Sequence, residues 1–347
     1  MSRFTAVLIE HGYSTTRCER EVIETAGGEL VDADALPLDV ALGLCEEADA
    51  VLCRRALLTR SIVERFRRCR LIVRYGVGTD NVDVEAATDR GIIVGHVPSY
   101  CPDEVSSHAI ALLLAAVRHV AATDRRVREG GWDLQRSEET HRMRGRTLGV
   151  VGLGGIGRTV ARKMAGWGMR LVAADPFAEA RVAEEEGVEL VDFDTLLRES
   201  DYLSLHCPLL PETHHLVGTR ALRLAKRGAI LVNTARGPIV DTGALLAALD
   251  EGHLSGAALD VFEDEPLPSD SPLRRQERLV ISDHTGWYSE ESQAELQRTA
   301  ADVVATVCTG GLPGSLANPL VLKALGRWDE WQPAENMRWQ LRRLGLA

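Results

Sequence analysis

The sequence predicts an α/β protein made of two parallel-sheet domains with a cleft between them. Three observations carry that expectation. The chain has 347 residues, more than one domain of ordinary size. Short apolar runs alternate with amphipathic stretches along most of its length. Near residue 150 a glycine-rich string restarts that alternation.

The first series of expected strands is Ala6–Ile9, Glu29–Val31, Ala50–Cys53, Leu71–Val73 and Ile92–Val94, each followed by polar or helical sequence such as Ser61–Cys69. Runs that are apolar throughout suit strands buried on both faces, and the intervening helices supply the cover. A helix is then expected from Pro102. Proline suits the first helical position, and Asp103 and Glu104 favour the positive end of the helix dipole. Val105, Ala109, Leu112, Leu113, Ala116, Val117 and Val120 recur at helical spacing, so this helix is expected to run to Val120. After a polar arm, Gly130–Gly145, comes the second series: Leu148–Val151, Leu171–Ala174, Glu189–Val191, Tyr202–Leu205, Ala229–Val232, Ala257–Leu259 and Leu279–Ile281. These predict one doubly wound sheet. A helix is expected over Glu290–Cys308. The tail from Trp328 to Ala347 either pads a domain surface or reaches an oligomer partner.

Composition narrows the function classes. A net charge of −11 argues against the broad electropositive face that nucleic acid requires. No run approaches the roughly 20 apolar residues that cross a bilayer. The opening stretch is interrupted by Glu10 and His11 and reads as a first strand, not a signal peptide, so a cytoplasmic protein without membrane partners is expected. The cysteines, Cys18, Cys45, Cys53, Cys69, Cys101, Cys207 and Cys308, are odd in number, widely spaced and without a CxxC pair. That argues against a disulfide framework and a metal site, and for reduced, mostly buried thiols.

The string Gly152-Leu153-Gly154-Gly155-Ile156-Gly157 closes the strand Leu148–Val151 and opens helical sequence over Arg158–Trp167. Gly152 permits the tight turn, Gly154 lets a pyrophosphate approach the backbone, and Gly157 lets the helix pack closely on the strand. Eighteen residues beyond Gly157, the strand Leu171–Ala174 ends at Asp175. A carboxylate there accepts hydrogen bonds from the adenosine ribose hydroxyls and repels a 2′-phosphate, so the expected cofactor is NAD. Glycines alone are weak evidence; strand, glycines, helix and acid in this order are not.

Three later segments carry candidate chemistry. Asn233–Asp241 follows Ala229–Val232, Asp260–Pro266 follows Ala257–Leu259, and Ser282–Tyr288 follows Leu279–Ile281. Strand C-termini of an open parallel sheet face its ligand crevice, so Arg236, Glu265 and His284 are expected to converge. Hydride chemistry beside a nicotinamide commonly needs a proton delivered as well. Histidine titrates near neutrality and can deliver it, and a neighbouring carboxylate favours the imidazolium. Arginine presents a planar pair of donors to a carboxylate.

With the glycine string, these segments resemble the D-isomer-specific 2-hydroxyacid dehydrogenases, two Rossmann-like or flavodoxin-like domains. The likeness runs from about Ala6 to Asn318 and is closest to the branch of the C-terminal binding proteins, on the strings Leu205–Leu216 and His284–Glu291. It implies an NAD-binding domain at 100–287 and a substrate domain at 1–99 plus 288–347. It assigns the substrate carboxylate to Arg236, acid–base work to His284 and orientation of His284 to Glu265. Substrate contacts fall to Arg74, Tyr75, Gly76, Val77, Gly78 and Trp287. An indole at 287 favours an apolar or bulky 3-substituent. Cofactor contacts fall to Gly152–Gly157, Asp175, His206, Cys207, Pro208, Thr213, Thr234, Ala235, Arg236, Asp260, His284 and Gly286. The arm around Trp132 resembles the family's dimer contact, so a homodimer is expected. His214 and His215 read as solvated loop residues. His96 stands where the wider family has asparagine and receives no catalytic role.

Two other readings stay open. An NAD-sensing scaffold or corepressor is compatible with the binding-protein likeness, and a phosphite-type dehydrogenase is compatible with the fold. Formate is disfavoured, because that branch carries glutamine where Glu265 stands.

Overall fold

The computed structural model describes residues 3–132 and 139–346, so part of the expected polar arm, 133–138, lies outside the described residues. The chain divides into two compact units, Met1–Tyr100 with Ser289–Ala347, and Cys101–Tyr288.

The first unit is built on five strands: β1 (Phe4–Ile9), β2 (Gly28–Asp32), β3 (Ala50–Cys53), β4 (Leu71–Arg74) and β5 (Ile93–His96). They run parallel in the order β2-β1-β3-β4-β5. Every residue of β3 is buried, as a strand covered on both faces demands. The helix Glu290–Cys308 belongs to this unit and packs on the helix Arg17–Thr25. The C-terminal tail also folds onto it. Trp331 is buried with its indole N–H donating to the Pro313 carbonyl at 2.8 Å, and Gln340 donates to the Ala317 carbonyl at 2.6 Å. Of the two expectations for the tail, the described structure shows padding of its own unit.

The second unit holds β6 (Thr147–Val151), β7 (Arg170–Ala174), β8 (Glu189–Leu190), β9 (Tyr202–Leu205), β10 (Ile230–Asn233), β11 (Gly256–Leu259) and β12 (Leu279–Ile281). They form one parallel sheet in the order β12-β11-β10-β9-β6-β7-β8. Strand alternation divides the core between the two faces. Leu203, Leu205, Leu231 and Leu259 join one apolar cluster, while Tyr202, Ile230, Val232 and Ala258 join the other. The order in which strands are added reverses between β6 and β9, the switch point where an open α/β sheet leaves a crevice beyond its strand C-termini.

One expected helix is shorter than its apolar spacing indicates. It covers Pro102–Val117 and stops where His119 takes a left-handed φ of 53°. A second helix, Val120–Arg128, leaves in a new direction and buries none of its residues. Val120 therefore belongs to an exposed surface, not to the buried stripe before it. Among the described residues none of the seven cysteines forms a disulfide, and no single helix is long and apolar enough to cross a membrane.

Candidate active site

The glycine string forms the turn from β6 into the helix Gly155–Met164. Gly152 has a φ of 89°, and a Cβ there would stand 2.7 Å from the Cys207 backbone nitrogen. A Cβ on Gly157 would lie 2.1 Å from the Gly152 carbonyl oxygen, so the turn closes only with glycine at both places. Above Gly154 and Gly155 a Cβ would meet nothing within 4 Å. Asp175, at the end of β7, reaches back to this turn: Oδ2 accepts the Leu153 amide at 2.8 Å and Oδ1 accepts the Phe177 amide at 2.8 Å. Each oxygen keeps a second lone pair for a hydroxyl donor.

The loops after β10, β11 and β12 carry the proposed reactive groups. His284 Nδ1 lies 2.6 Å from Glu265 Oε2, and Glu265 Oε1 accepts the Phe262 amide at 2.9 Å. Burial pushes the Glu265 carboxyl up. The His284 hydrogen bond and charge, the Phe262 amide and the Arg236 charge outweigh it, so the carboxyl sits below its ordinary range. Arg236 donates to the Ala235 carbonyl at 2.7 Å, and its charge acts on Glu265. Gly237 makes that closeness possible: a Cβ there would stand 1.8 Å from the Phe262 carbonyl carbon. Asn233 shapes the same turn, accepting the Ala235 amide at 3.0 Å and donating to the Arg236 carbonyl at 2.8 Å.

Asp260 is buried, and its carboxylate is occupied by the chain itself. Oδ1 accepts the Ser282 hydroxyl at 2.6 Å and the Thr285 amide at 3.0 Å, while Oδ2 accepts the Gly286 amide at 2.9 Å. His108 Nε2 lies 3.2 Å from Oδ1. Burial raises the Asp260 carboxyl, but His108, Ser282, Gly286 and Thr285 together bring it below its usual range. His108 was not among the residues expected from sequence, because it joins this group from a helix 174 positions before Ser282.

The remaining expected cofactor residues divide by what their side chains do. Thr213 serves its own loop, donating to the Pro208 carbonyl at 2.7 Å and accepting the Leu210 amide at 2.8 Å. Cys207 is buried, with its thiol pushed up to about 11 by that burial. His206 Nε2 pairs with Ser204 Oγ at 2.8 Å, and burial holds its imidazole down at about 4. Its Nδ1 and the Thr234 hydroxyl are buried polar atoms with no partner among the described residues. Ala235 presents only backbone beyond a methyl. Nearby, His214 and His215 are exposed loop residues as expected, and His215 also pairs with Glu263 at 2.6 Å and stacks against His214. Trp287 packs edge-on against Tyr288, ring centres 5.5 Å apart.

In the first unit, the segment after β4 is held by its own unit. Arg74 Nε donates to Asn81 Oδ1 at 3.3 Å. Tyr75 turns its ring into the core, and its hydroxyl donates to the buried Glu19 at 3.1 Å, so only its backbone remains for a ligand. Gly76 has a φ of 127°, and His96 Nδ1 lies 2.8 Å from the Val77 carbonyl oxygen.

The residues fit a dinucleotide. Open backbone at Gly154 and Gly155, a ribose-side carboxylate, and two orphaned buried polar atoms at His206 and Thr234 are what such a ligand would satisfy. With a carboxylate-held imidazole on the same edge of the same sheet, the second unit has the arrangement of a nicotinamide-dependent dehydrogenase.

Comparison with known proteins narrows that class. Residues 110–286 match the family model for the D-isomer specific 2-hydroxyacid dehydrogenase NAD binding domain. A glyoxylate reductase of Korarchaeum cryptofilum is 43% identical over 265 residues, covering 76% of this chain and 80% of that protein. A D-3-phosphoglycerate dehydrogenase of Methanocaldococcus jannaschii is 38% identical over 293 residues, 84% of this chain but 56% of that longer protein. The crystal structure of a D-lactate dehydrogenase from Aquifex aeolicus, complexed with NAD and lactic acid, superposes with a TM-score of 0.81 at 27% identity, covering 90% of this chain and 98% of that one. The chain belongs to the D-isomer specific 2-hydroxyacid dehydrogenase family, and its cofactor is NAD.

Proposed function

We propose that the protein interconverts a small D-2-hydroxy acid and its 2-keto acid, with His284 as proton donor and acceptor. The observation that carries this reading is the 2.6 Å pairing of His284 with Glu265 at the C-terminal edge of the sheet that bears the glycine turn. The turn Gly152–Gly157 and Asp175 would hold NAD, with His206, Cys207, Pro208, Thr213, Thr234, Ala235, Asp260 and Gly286 beside it. Bound there, NADH supplies the hydride that a keto carbon requires.

In the reducing direction, Glu265 fixes the ring of His284 through Nδ1. That leaves Nε2 to give a proton to the carbonyl oxygen. Arg236 pairs with the substrate carboxylate and offsets charge developing on the oxygen. Arg74, the backbone of Tyr75 and the amides of Gly76, Val77 and Gly78 take further substrate contacts, and Trp287 borders the 3-substituent. Residues 100–287 act as the cofactor domain, and 1–99 with 288–347 as the substrate domain. The glyoxylate reductases among its relatives make a short keto acid the first substrate to test.

A second copy of the subunit would pair through the arm around Trp132, whose indole is exposed, with the exposed helix Val120–Arg128 offering further surface beside it.

The test is NADH oxidation with a panel of 2-keto acids, comparing wild type with Arg236→Ala and His284→Ala. Both substitutions are expected to cut turnover at least ~100-fold, the scale of losing a general acid or an electrostatic clamp. Near-normal rates in both variants would refute the assignment. Tight NADH binding with no turnover of any keto acid would instead favour a sensor of NAD.

A further inference from the structure

His108 extends from the helix Pro102–Val117 to the loop that follows β12. Its Nε2 stands 2.9 Å from Ser282 Oγ and 3.2 Å from Asp260 Oδ1. An ionised carboxylate can only accept, so Ser282, 2.6 Å from Oδ1, commits its single proton to Asp260. The serine oxygen is left as an acceptor, and His108 must approach it as N–H. The direction of each hydrogen bond in the group is thereby fixed.

The loop that these groups hold is the one that carries His284. The Thr285 and Gly286 amides donate to the Asp260 carboxylate at 3.0 and 2.9 Å, and the His284 amide donates to the Asp260 backbone oxygen at 2.8 Å. Gly286 lies close to the His108 ring: a Cβ there would stand 3.0 Å from His108 Cδ2 and 2.9 Å from Asp260 Oδ2. His284 has a φ of 56°, a left-handed conformation that a residue with a side chain keeps only where its surroundings over-determine it.

We propose that His108 is a positioning residue: acting through Ser282 and Asp260, it holds the 282–286 loop in the conformation that lays His284 Nδ1 on Glu265. This inference rests on the reading of His284 as the acid–base group. His108 touches neither Glu265 nor His284 in the contacts described. Its effect on proton transfer therefore passes through Ser282, Asp260 and the backbone of the loop.

The test uses the full chain and the keto acid turned over best, with NADH binding followed separately by fluorescence quenching. His108→Leu keeps bulk but removes the donor. It is expected to lower kcat about tenfold while the keto-acid KM and the NADH Kd stay within about twofold, the signature of a misplaced reacting group. His108→Gln places an N–H within reach of Ser282 and is expected to recover most of the lost kcat. Ser282→Ala should match His108→Leu, and the double variant should be no worse than either, since both break one linkage. Wild-type kcat in His108→Leu or in Ser282→Ala, with His284→Ala crippled, overturns the positioning role alone. Equal damage in the Gln and Leu variants does the same. If His108→Leu does not fold, Ser282→Ala and His108→Gln still decide the matter. Wild-type turnover in His284→Ala overturns the acid–base reading, and this inference with it.

Discussion

Gly237 has no room for a side chain. A methyl group there would lie 1.8 Å from the Phe262 carbonyl carbon and 1.9 Å from its oxygen. Both neighbours are backbone, so they yield only if two loops part. Those loops carry Arg236 and Glu265, whose charges act on each other at present. Gly237→Ala is therefore expected to cost about 2 kcal/mol of stability and to lower kcat/KM by about 100-fold, since a displacement near 1 Å is enough to spoil such a site. Urea unfolding and steady-state rates measure the two effects; wild-type values in both would mean the loops need not abut. Arg236, Glu265 and His284 were legible in the sequence because each follows a readable strand, and parallel strands deliver their C-terminal loops to one edge. The residues that support them were less so. Asn233 follows a local rule, an asparagine bonding backbone two and three residues onward, and that signature could have marked it. His108 and Ser282 obey no local rule, because neither has a partner until the sheet has formed.

At the scale of elements, the strands were readable and the buried polar links between helices were not. Runs such as Ala50–Cys53 and Tyr202–Leu205 are apolar on every face a strand buries, and the structure places strands on those very residues. Glu19 shows the limit. On its helix, Arg17–Thr25, it reads as one more solvated acid, yet it is fully buried. It receives the Gln297 amide on both carboxylate oxygens, at 2.9 and 3.1 Å, and the Tyr75 hydroxyl at 3.1 Å. Gln297 lies on the helix Glu290–Cys308, 278 positions away, too far for periodicity to reveal. Removing that donor strands a buried carboxylate. Gln297→Leu, although apolar and of similar size, is expected to destabilise the chain by about 2 kcal/mol, in the range for a buried acceptor left short of donors. A urea midpoint equal to that of wild type would show that Tyr75 alone suffices for Glu19. Because Tyr75 precedes Gly76 directly, the same variant is expected to raise the keto-acid KM.

For the whole molecule, two parallel sheets were legible from alternation and length, but the strand orders were not. The pairing of β6 with β9, and of β10 with both β9 and β11, is decided by contacts that no single segment encodes. The expected pairing of subunits belongs to this scale too, and the helix Val120–Arg128 is where the chain argues for it. Val120 and Val127 are about half exposed, and Trp132 just beyond is 81% exposed. A helix of nine residues with none of them fully buried is marginal in water by itself, since so short a segment gains little beyond its nucleation cost. A second copy laid on that face would supply the missing burial, and large exposed apolar side chains gathered on one segment mark such contacts. Sedimentation at micromolar concentration is expected to report twice the 37.9 kDa chain mass. Val127→Glu combined with Trp132→Glu is expected to return the monomer, because paired copies would bring those charges into a desolvated interface. A wild-type monomer at that concentration, or a double variant that still sediments as a dimer, would take the contact away from this helix.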